Sequence, residues 1–476
     1  MKRLLIAGAM MALMIVPQAN VWADGDEFEE FTPAQREQIR KMIQDNLRGG
    51  GMTQIDPPTL DLSEQMPALG DTKQQVQRFG DTFTGGSGLQ GGRTIYAKPF
   101  VKAPKTIVGG YIDFIVTDCA GAARDCRDGL EFDQERFVPF FYSQVTDRVS
   151  VAVELEIEHG GPQGNQGDGD VKIEFATMDY RIEDWINLRG GILLVPMGRF
   201  NLIHDTPLND LPLRPMVSRL IIPSTFAESG LGLYGTFYPT RLSKVDYEFY
   251  ITQGFDGSDT TTTDTVAAMT GIVSRATSSV FTAANGLRSI RGSLQTDNND
   301  NKAIVSRIAV SPILGVEVAG SIHHGTWDDA DNNYLTILAV DGNLQRGPFE
   351  IQGEAAWVNI EGGNTLASSG LPPARMEGFY VQGNYHFMPE FLQKMAPTHF
   401  SQGSTFTAIV RYGEADTNAN VSNNTNDLKR VTFGVNFRPV EDSVIKFAYT
   451  INDEAISDSR SAASNNGWQF GAATYF

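Results

Sequence analysis

The fold is decided by the stretch Val149-Ser150-Val151-Ala152-Val153-Glu154-Leu155-Glu156-Ile157-Glu158. Every second position carries Val, Leu or Ile, and the positions between them carry Ser, Ala and three glutamates. Successive side chains of a β-strand point to opposite faces, so this stretch is predicted to be a strand with one apolar and one polar face. The same alternation recurs at 245–252, 431–438 and 445–452.

About sixteen such segments follow one another after residue 105, and tight turns alternate with long loops rich in Gly, Asn and Asp. A closed barrel with short turns at one end and long loops at the other satisfies all backbone hydrogen bonds in lipid. We therefore predict an all-β protein, a transmembrane antiparallel β-barrel over 105–476 whose apolar face contacts outer-membrane lipid. A secreted sandwich or propeller also alternates, but it would not leave an apolar face uncovered on strand after strand.

The first residues indicate export. Lys2 and Arg3 precede an apolar run over 4–16, and Ala23 is suited to be the last residue before cleavage. The apolar run is too short to be a membrane-spanning helix. Residues 1–23 are therefore predicted to be a signal peptide.

Residues 24–104 are predicted to form an N-terminal periplasmic segment. Thr32-Pro33-Ala34 is typical of a helix start, apolar residues then fall on one helical face, and Gly49-Gly50-Gly51 ends the pattern. The rest is rich in Gly, Pro, Gln and Asp, which favours a linker or a segment folded into a lumen.

Composition excludes several functions. With 38 Lys and Arg against 57 Asp and Glu, the chain has no basic excess with which to neutralise nucleic-acid phosphates. The two cysteines and six histidines show no metal-ligand spacing, and His323-His324 is interpreted as a solvated pair. No Gly-x-Ser-x-Gly motif is present. We predict no nucleic-acid partner, metal or cofactor, and no enzymatic activity.

The two cysteines, Cys119 and Cys126, lie in the first predicted long loop. In an exported protein they are predicted to form a disulfide that stiffens this loop, and a pair of free thiols is the alternative.

A further set of motifs lies within 106–240. The motifs are 106–113, 136–141, the glutamate-rich strand 149–158 with 159–161, and, most specifically, 188–198 with 221–230. Together they resemble the outer-membrane porins of the phosphate-selective porin O and P family. The last strand ends at Phe476 and resembles the C-terminal signal that the barrel-assembly machinery of Gram-negative bacteria reads.

The resemblance implies a homotrimer of 16-stranded, water-filled channels for passive diffusion of small hydrophilic solutes across the outer membrane. In that family a loop folds inward and basic residues attract phosphate, and 197–228 is the corresponding loop here. The candidate constriction residues are Arg199, His204, Asp205, Asp210, Arg214 and Arg219. The alternative is that these residues pair with one another or with the wall and hold the loop.

The polar faces of the strands are predicted to line the lumen. The candidates are Glu154, Glu156, Glu158, Lys172, Asp246, Glu248, Glu350, Glu354, Arg411 and Lys446. Only Lys172, Arg411, Arg438 and Lys446 are assigned as inward basic residues. Carboxylate rings favour cations. A weakly cation-preferring or unselective pore is therefore an alternative to a phosphate-selective pore. A plugged structural or adhesive barrel is the alternative function.

Overall fold

A computed structural model describes residues 106–120, 129–162, 169–257, 281–283, 286–292, 294–295, 297, 299–363, 372–401, 403–421, 426–454 and 465–476. The predicted signal peptide, the predicted N-terminal helix with its linker, and Cys126 lie outside the described residues.

The described chain is almost entirely β-structure, with one short α-helix, α1 (Glu390–Met395). The strands are β1 Thr106–Cys119, β2 Gly129–Gln144, β3 Val149–Glu158, β4 Val171–Glu183, β5 Ile186–Leu194, β6 Ala227–Phe237, β7 Lys244–Thr252, β8 Ala303–Ser311, β9 Val316–Thr326, β10 Tyr334–Arg346, β11 Phe349–Ile360, β12 Arg375–Phe387, β13 Thr405–Asp416, β14 Asp427–Val440, β15 Ser443–Glu454 and β16 Gly467–Tyr475. In this part of the chain no helix is both long and apolar enough to cross a bilayer.

The strands form one closed barrel in which each pairs antiparallel with its sequence neighbours and β1 pairs with β16. The predicted barrel of sixteen strands is therefore confirmed. At the seam, Tyr111 stands opposite Tyr475. The Phe476 amide donates to the Gly110 carbonyl at 2.9 Å, and the Gly110 amide donates back at 3.2 Å. Closure leaves no sheet edge.

The connections differ at the two ends of the barrel. At one end, called the turn end, most connections are short, such as 184–185 and 347–348. The longest turn-end connection, 388–404, contains α1. At the other, the loop end, they are long, as at 195–226 and 253–302.

Strand β2 begins earlier than its sequence pattern indicates. Alternation predicts a start near 136, whereas the strand begins at Gly129. Its first residues lie at the loop end, where the structure exposes Leu130 and Phe132 as well as charged residues. Because neither face is buried there, no amphipathic pattern marks the start.

The outward face of the barrel is apolar and exposed, as at Val108 and Leu231, which are 63% and 65% exposed. The inward face is buried, but it is less polar than predicted. Three apolar clusters lie inside the bore, where strand residues pack against the connection 195–226, which we name the inner loop. The largest cluster covers inward positions of β7, β8 and β10 to β14.

Candidate functional site

The inner loop leaves β5, folds into the bore and returns to β6. Asn201 ties its two ends together. The Asn201 Nδ2 donates to the carbonyl oxygens of Val195 at 2.7 Å and Phe226 at 3.1 Å, and its Oδ1 accepts from the Phe226 amide at 2.9 Å. The loop is therefore closed at its base before it meets the wall.

The first contact with the wall is made around Gly198. The Gly198 amide donates to Ser321 Oγ at 3.1 Å, and the Phe200 amide donates to Glu354 Oε2 at 2.8 Å. Gly198 has φ of +66°, and a Cβ there would lie 2.5 to 2.7 Å from the Glu354 carboxylate group. Glycine thus permits both the left-handed backbone and the close approach.

The next turn of the loop reaches strands on the far side of the barrel. His204 Nε2 lies 3.0 Å from Glu174 Oε1 on β4. Asp205 Oδ2 accepts from the Tyr475 hydroxyl at 2.8 Å. Thr206 Oγ1 accepts from Arg136 Nη1 at 3.1 Å. These contacts fix the loop to β2, β4 and β16.

Asp210 connects the loop to two further strands. Its Oδ2 accepts from Asn384 Nδ2 at 2.8 Å and Gln382 Nε2 at 3.2 Å. Its Oδ1 accepts from Asn436 Nδ2 at 3.3 Å and Arg438 Nη2 at 3.5 Å. One carboxylate thus joins the loop to β12 and β14.

Asp210→Ala is expected to loosen the inner loop without opening the barrel. Hydrogen bonds to a charged group contribute about 1.5–3 kcal/mol each, so losing the set should release this segment locally. We expect faster cleavage of the loop in limited proteolysis and larger current fluctuations in single-channel recordings. Asp147→Ala, in an exposed turn, is the matched control. Equal cleavage of both variants would contradict the anchoring role of Asp210.

Arg214 and Arg219 are half-buried, as is Asp210. Among the described residues, Arg214 Nε and Nη2 have no hydrogen-bond partner. Burial lowers the pKa of the Arg214 guanidinium, and Arg136 lowers it further, while Glu156 raises it. Arg199, His204, Asp205 and Asp210 instead bond to the wall. A role in the constriction stays a prediction for all six candidates.

The ten lumen candidates lie on inward positions of their strands. Eight are buried, namely Glu154, Glu156, Asp246, Glu248, Glu350, Glu354, Arg411 and Lys446. Glu158 and Lys172 are partly exposed, at 19% and 22% of their side-chain areas. Whether they line the solute path is not decided by their burial, so that role also stays a prediction.

The inward carboxylates are largely paired with basic residues. Arg136 contacts Asp113 at 3.1 Å and Glu156 at 3.1 Å, and Lys172 contacts Glu156 at 2.8 Å. Arg189 binds Asp179 at 2.6 Å. Three further pairs are Lys244 with Asp246, Arg307 with Asp341, and His386 with Glu350.

The assignment of only four inward basic residues was therefore incomplete, since Arg136, Arg189 and Arg307 also point inward and are buried. Strand β8 shows why Arg307 was missed. It has apolar residues on both faces, because its inward Val305 packs in the largest cluster. Sequence polarity could not separate those faces.

Four basic side chains in or near the inner loop have no carboxylate partner. Three of them donate hydrogen bonds only to neutral groups. Arg199 donates to Gln352 Oε1 at 3.0 Å and Lys446 to the Thr206 carbonyl at 2.6 Å. Arg411 donates to the Leu213 carbonyl at 2.7 Å and to Gln382. Arg214 is the fourth of these side chains, and its Nε and Nη2 have no hydrogen-bond partner. None of the four forms an ion pair with a carboxylate within the described ranges.

Two residues of this region were not recognised from the sequence. Asn201 carried no signal, since an asparagine in a loop is ordinary. His323, interpreted as solvated, is buried between Phe226 and Phe255 and lies 3.0 Å from Glu228 Oε1. The inner loop covers it, which strand alternation alone does not reveal.

Cys119, the last residue of β1, is disulfide-bonded. Cys126 lies outside the described residues, so its pairing with Cys119 stays a prediction. In the part of the chain that the structure describes, no group of three or more His, Cys, Asp or Glu side chains is arranged to hold a metal ion.

Comparison with known proteins gives matches at the level of sequence and of structure. The family model described as phosphate-selective porin O and P matches residues 143–474. A protein of Aquifex aeolicus, described as uncharacterized, is 24% identical over 340 aligned residues, and the match covers 67% of this chain and 70% of that protein.

Two solved structures are similar at low identity. Salmonella typhi OmpF in complex with daunomycin is 10% identical, with 78% of this chain and 98% of that chain covered and a TM-score of 0.48. An anion-selective porin from Comamonas acidovorans is 10% identical, with 78% and 99% covered and a TM-score of 0.46.

Proposed function

The chain belongs to the phosphate-selective porin O and P family, and from this membership we propose that its channel prefers small anions, such as phosphate, to cations. The protein is an outer-membrane porin of a Gram-negative bacterium, and the loop end faces outward. The channel serves passive diffusion of small hydrophilic solutes. Its membership in a porin family points to a channel rather than an enzyme.

One observation carries the proposed anion preference. Around the inner loop, four basic side chains have no carboxylate in ion-pair contact: Arg199, Arg214, Arg411 and Lys446. The wall carboxylates of Glu156, Asp246 and Glu350, in contrast, have basic or histidine partners. Pairing cancels much of the acidic excess on which the expectation of a cation-preferring pore rested. Basic groups at a narrow point attract anions, even in a protein of net charge −19.

The test is the reversal potential of the purified protein in a planar bilayer under a salt gradient. We expect the sign of an anion-preferring channel and a reduction of chloride current when inorganic phosphate is added. A reversal potential of cation sign would overturn the proposed preference and leave the porin assignment intact.

Arg214→Gln is expected to weaken the anion preference. Removing one partly screened charge near the solute path changes the relative free energy of anions and cations by about 1 kcal/mol, or roughly fivefold in permeability ratio. Arg241→Gln, in the exposed turn 238–243, makes the same change away from the bore and should leave the ratio unchanged. An unaltered ratio in both variants would remove Arg214 from the constriction.

A second candidate function, a plugged structural or adhesive barrel, is favoured by one observation. The largest apolar cluster inside the bore contains fully buried residues such as Ile222, Phe281 and Trp327. A folded protein that never conducts would support this alternative.

The proposed partners and processing follow from the family and from the chain ends. We propose a homotrimer, recognition of the strand ending at Phe476 by the barrel-assembly machinery, outer-membrane lipid around the apolar outer face, and removal of 1–23. Phe476 is 61% exposed and therefore accessible for recognition. Native mass spectrometry of the extracted protein tests the trimer.

A further inference from the structure

The longest turn-end connection, 388–404, packs on the outer wall of the barrel. Phe406 on β13 and Phe437 on β14 are register partners on the outward face, and their ring centroids lie 4.6 Å apart. The ring of Phe400, within the connection, lies 5.4 Å from that of Phe437 and 6.2 Å from that of Phe406. The connection that contains α1 therefore contacts the apolar side of the wall, away from the bore.

Hydrogen bonds hold this connection in place. The Ser404 hydroxyl donates to the Pro439 carbonyl at 3.0 Å, which joins the connection to β14. Gln393 Nε2, on α1, donates to the Ser401 carbonyl at 3.3 Å. The helix is thereby fixed to the segment that packs on the wall.

Helix α1 leaves two large apolar side chains uncovered. Phe391 and Met395 lie four residues apart, on one face of the helix, and are 60% and 77% exposed. Beside them, Glu390 and Lys394 form an exposed ion pair at 3.1 Å. An apolar stripe next to a charged one is typical of helices that lie at the boundary between lipid and water.

The surroundings of α1 point to lipid as the partner of this stripe. A row of outward aromatic rings runs along the turn end through Phe349, Tyr385, Phe387 and Phe406, with successive centroids 5.1, 5.7 and 5.9 Å apart. Such rows mark the level where head groups meet acyl chains on outer-membrane barrels. Helix α1 begins just after Phe387, at this level.

We propose that α1 is a lipid anchor, in which Phe391 and Met395 enter the phospholipids of the inner leaflet while Glu390 and Lys394 stay among the head groups. The proposal rests on the proposed contact between the apolar outer face and lipid. A second copy of the chain packed on the apolar pair would also cover the neighbouring ion pair, and removing those charges from water is costly. Head groups keep the ion pair hydrated.

Spin labelling of the full-length protein in vesicles of phosphatidylethanolamine and phosphatidylglycerol tests the anchor. Phe391→Cys and Met395→Cys each carry a nitroxide, and label taken up by the protein without an added cysteine is subtracted. Oxygen concentrates among acyl chains, whereas nickel ethylenediaminediacetate stays in water. We expect the ratio of oxygen to nickel collisions to be about tenfold higher at both positions than at Asp147→Cys, in an exposed turn at the same end.

Leu231→Cys, on the outward face of β6, is the reference for lipid contact. A ratio at Phe391 or Met395 no higher than at Asp147, with a lipid-like ratio at Leu231, would overturn the anchor alone. A water-like ratio at Leu231 would refute the lipid contact of the outer wall and the anchor with it. Exclusion of both reagents from the α1 positions, with dipolar broadening between labels, would assign the stripe to a second copy and also overturn the anchor.

Discussion

Replacing Gly110 with valine is expected to prevent the barrel from closing. A Cβ at Gly110 would lie 2.5 Å from the Val138 carbonyl oxygen and 2.7 Å from the Phe476 ring. The Val138 carbonyl oxygen is fixed because β1 pairs with β2, and the Phe476 ring stacks on Phe137 at 5.8 Å. Any shift that relieves the clash with Val138 must move β1 away from β2, beside the seam that β1 forms with β16. Folded barrels migrate differently from heated ones in detergent gels, and this folded band should be lost.

Gly383→Val is the matched control for this prediction. Gly383 lies in β12 with its outward side exposed, and nothing lies within 4 Å of a Cβ placed there. The same substitution should therefore be tolerated, and the folded band should remain. If Gly110→Val folds as well as Gly383→Val, the close packing assigned to the seam is wrong.

Replacing Arg307 with methionine is expected to destabilise the barrel by about 3–5 kcal/mol, because it leaves a buried carboxylate uncompensated. Arg307 on β8 forms a bidentate ion pair with Asp341 on β10, and both side chains are buried. The Arg307 Nη2 to Asp341 Oδ1 distance is 2.8 Å. The free energy of unfolding, measured by urea titration of the protein in lipid, gives the effect.

The double variant Arg307→Met with Asp341→Leu separates charge from packing. Removing both partners should recover most of the lost stability, because well-packed apolar residues replace a buried ion pair at little net cost. Destabilisation of the double variant by the sum of both single effects would show that the pair has no direct interaction.

The barrel itself could be predicted from sequence because lipid and the bore impose a strict period of two on each strand. The stretch 149–158 shows this with valines and glutamates on opposite faces. Where a strand leaves this environment the pattern fails, as at Gly129, the start of β2. Where the bore is packed with apolar side chains it also fails, as around Arg307.

The candidate site could be located but not resolved from sequence. The loop was placed correctly between the fifth and sixth strands, and its charged residues were recognised. Which of them hold the loop depends on partners far away in the chain, such as Asn384 for Asp210 and Tyr475 for Asp205. Local composition does not encode these pairings. Without knowledge of these pairings, the sequence did not distinguish Arg214 and Arg219 from Arg199, which bonds to the wall.

The inner loop bonds to strands on both sides of the seam between β1 and β16. Tyr475 on β16 donates to Asp205, while Arg136 on β2 and Lys446 on β15 donate to Thr206. In an unclosed sheet β2 and β16 stand at or near opposite edges, so this set of donors cannot converge on the loop. The inner loop therefore takes its final shape in the same step that joins the last strand to the first. A chain halted during membrane insertion would hold a sheet but no anchored inner loop.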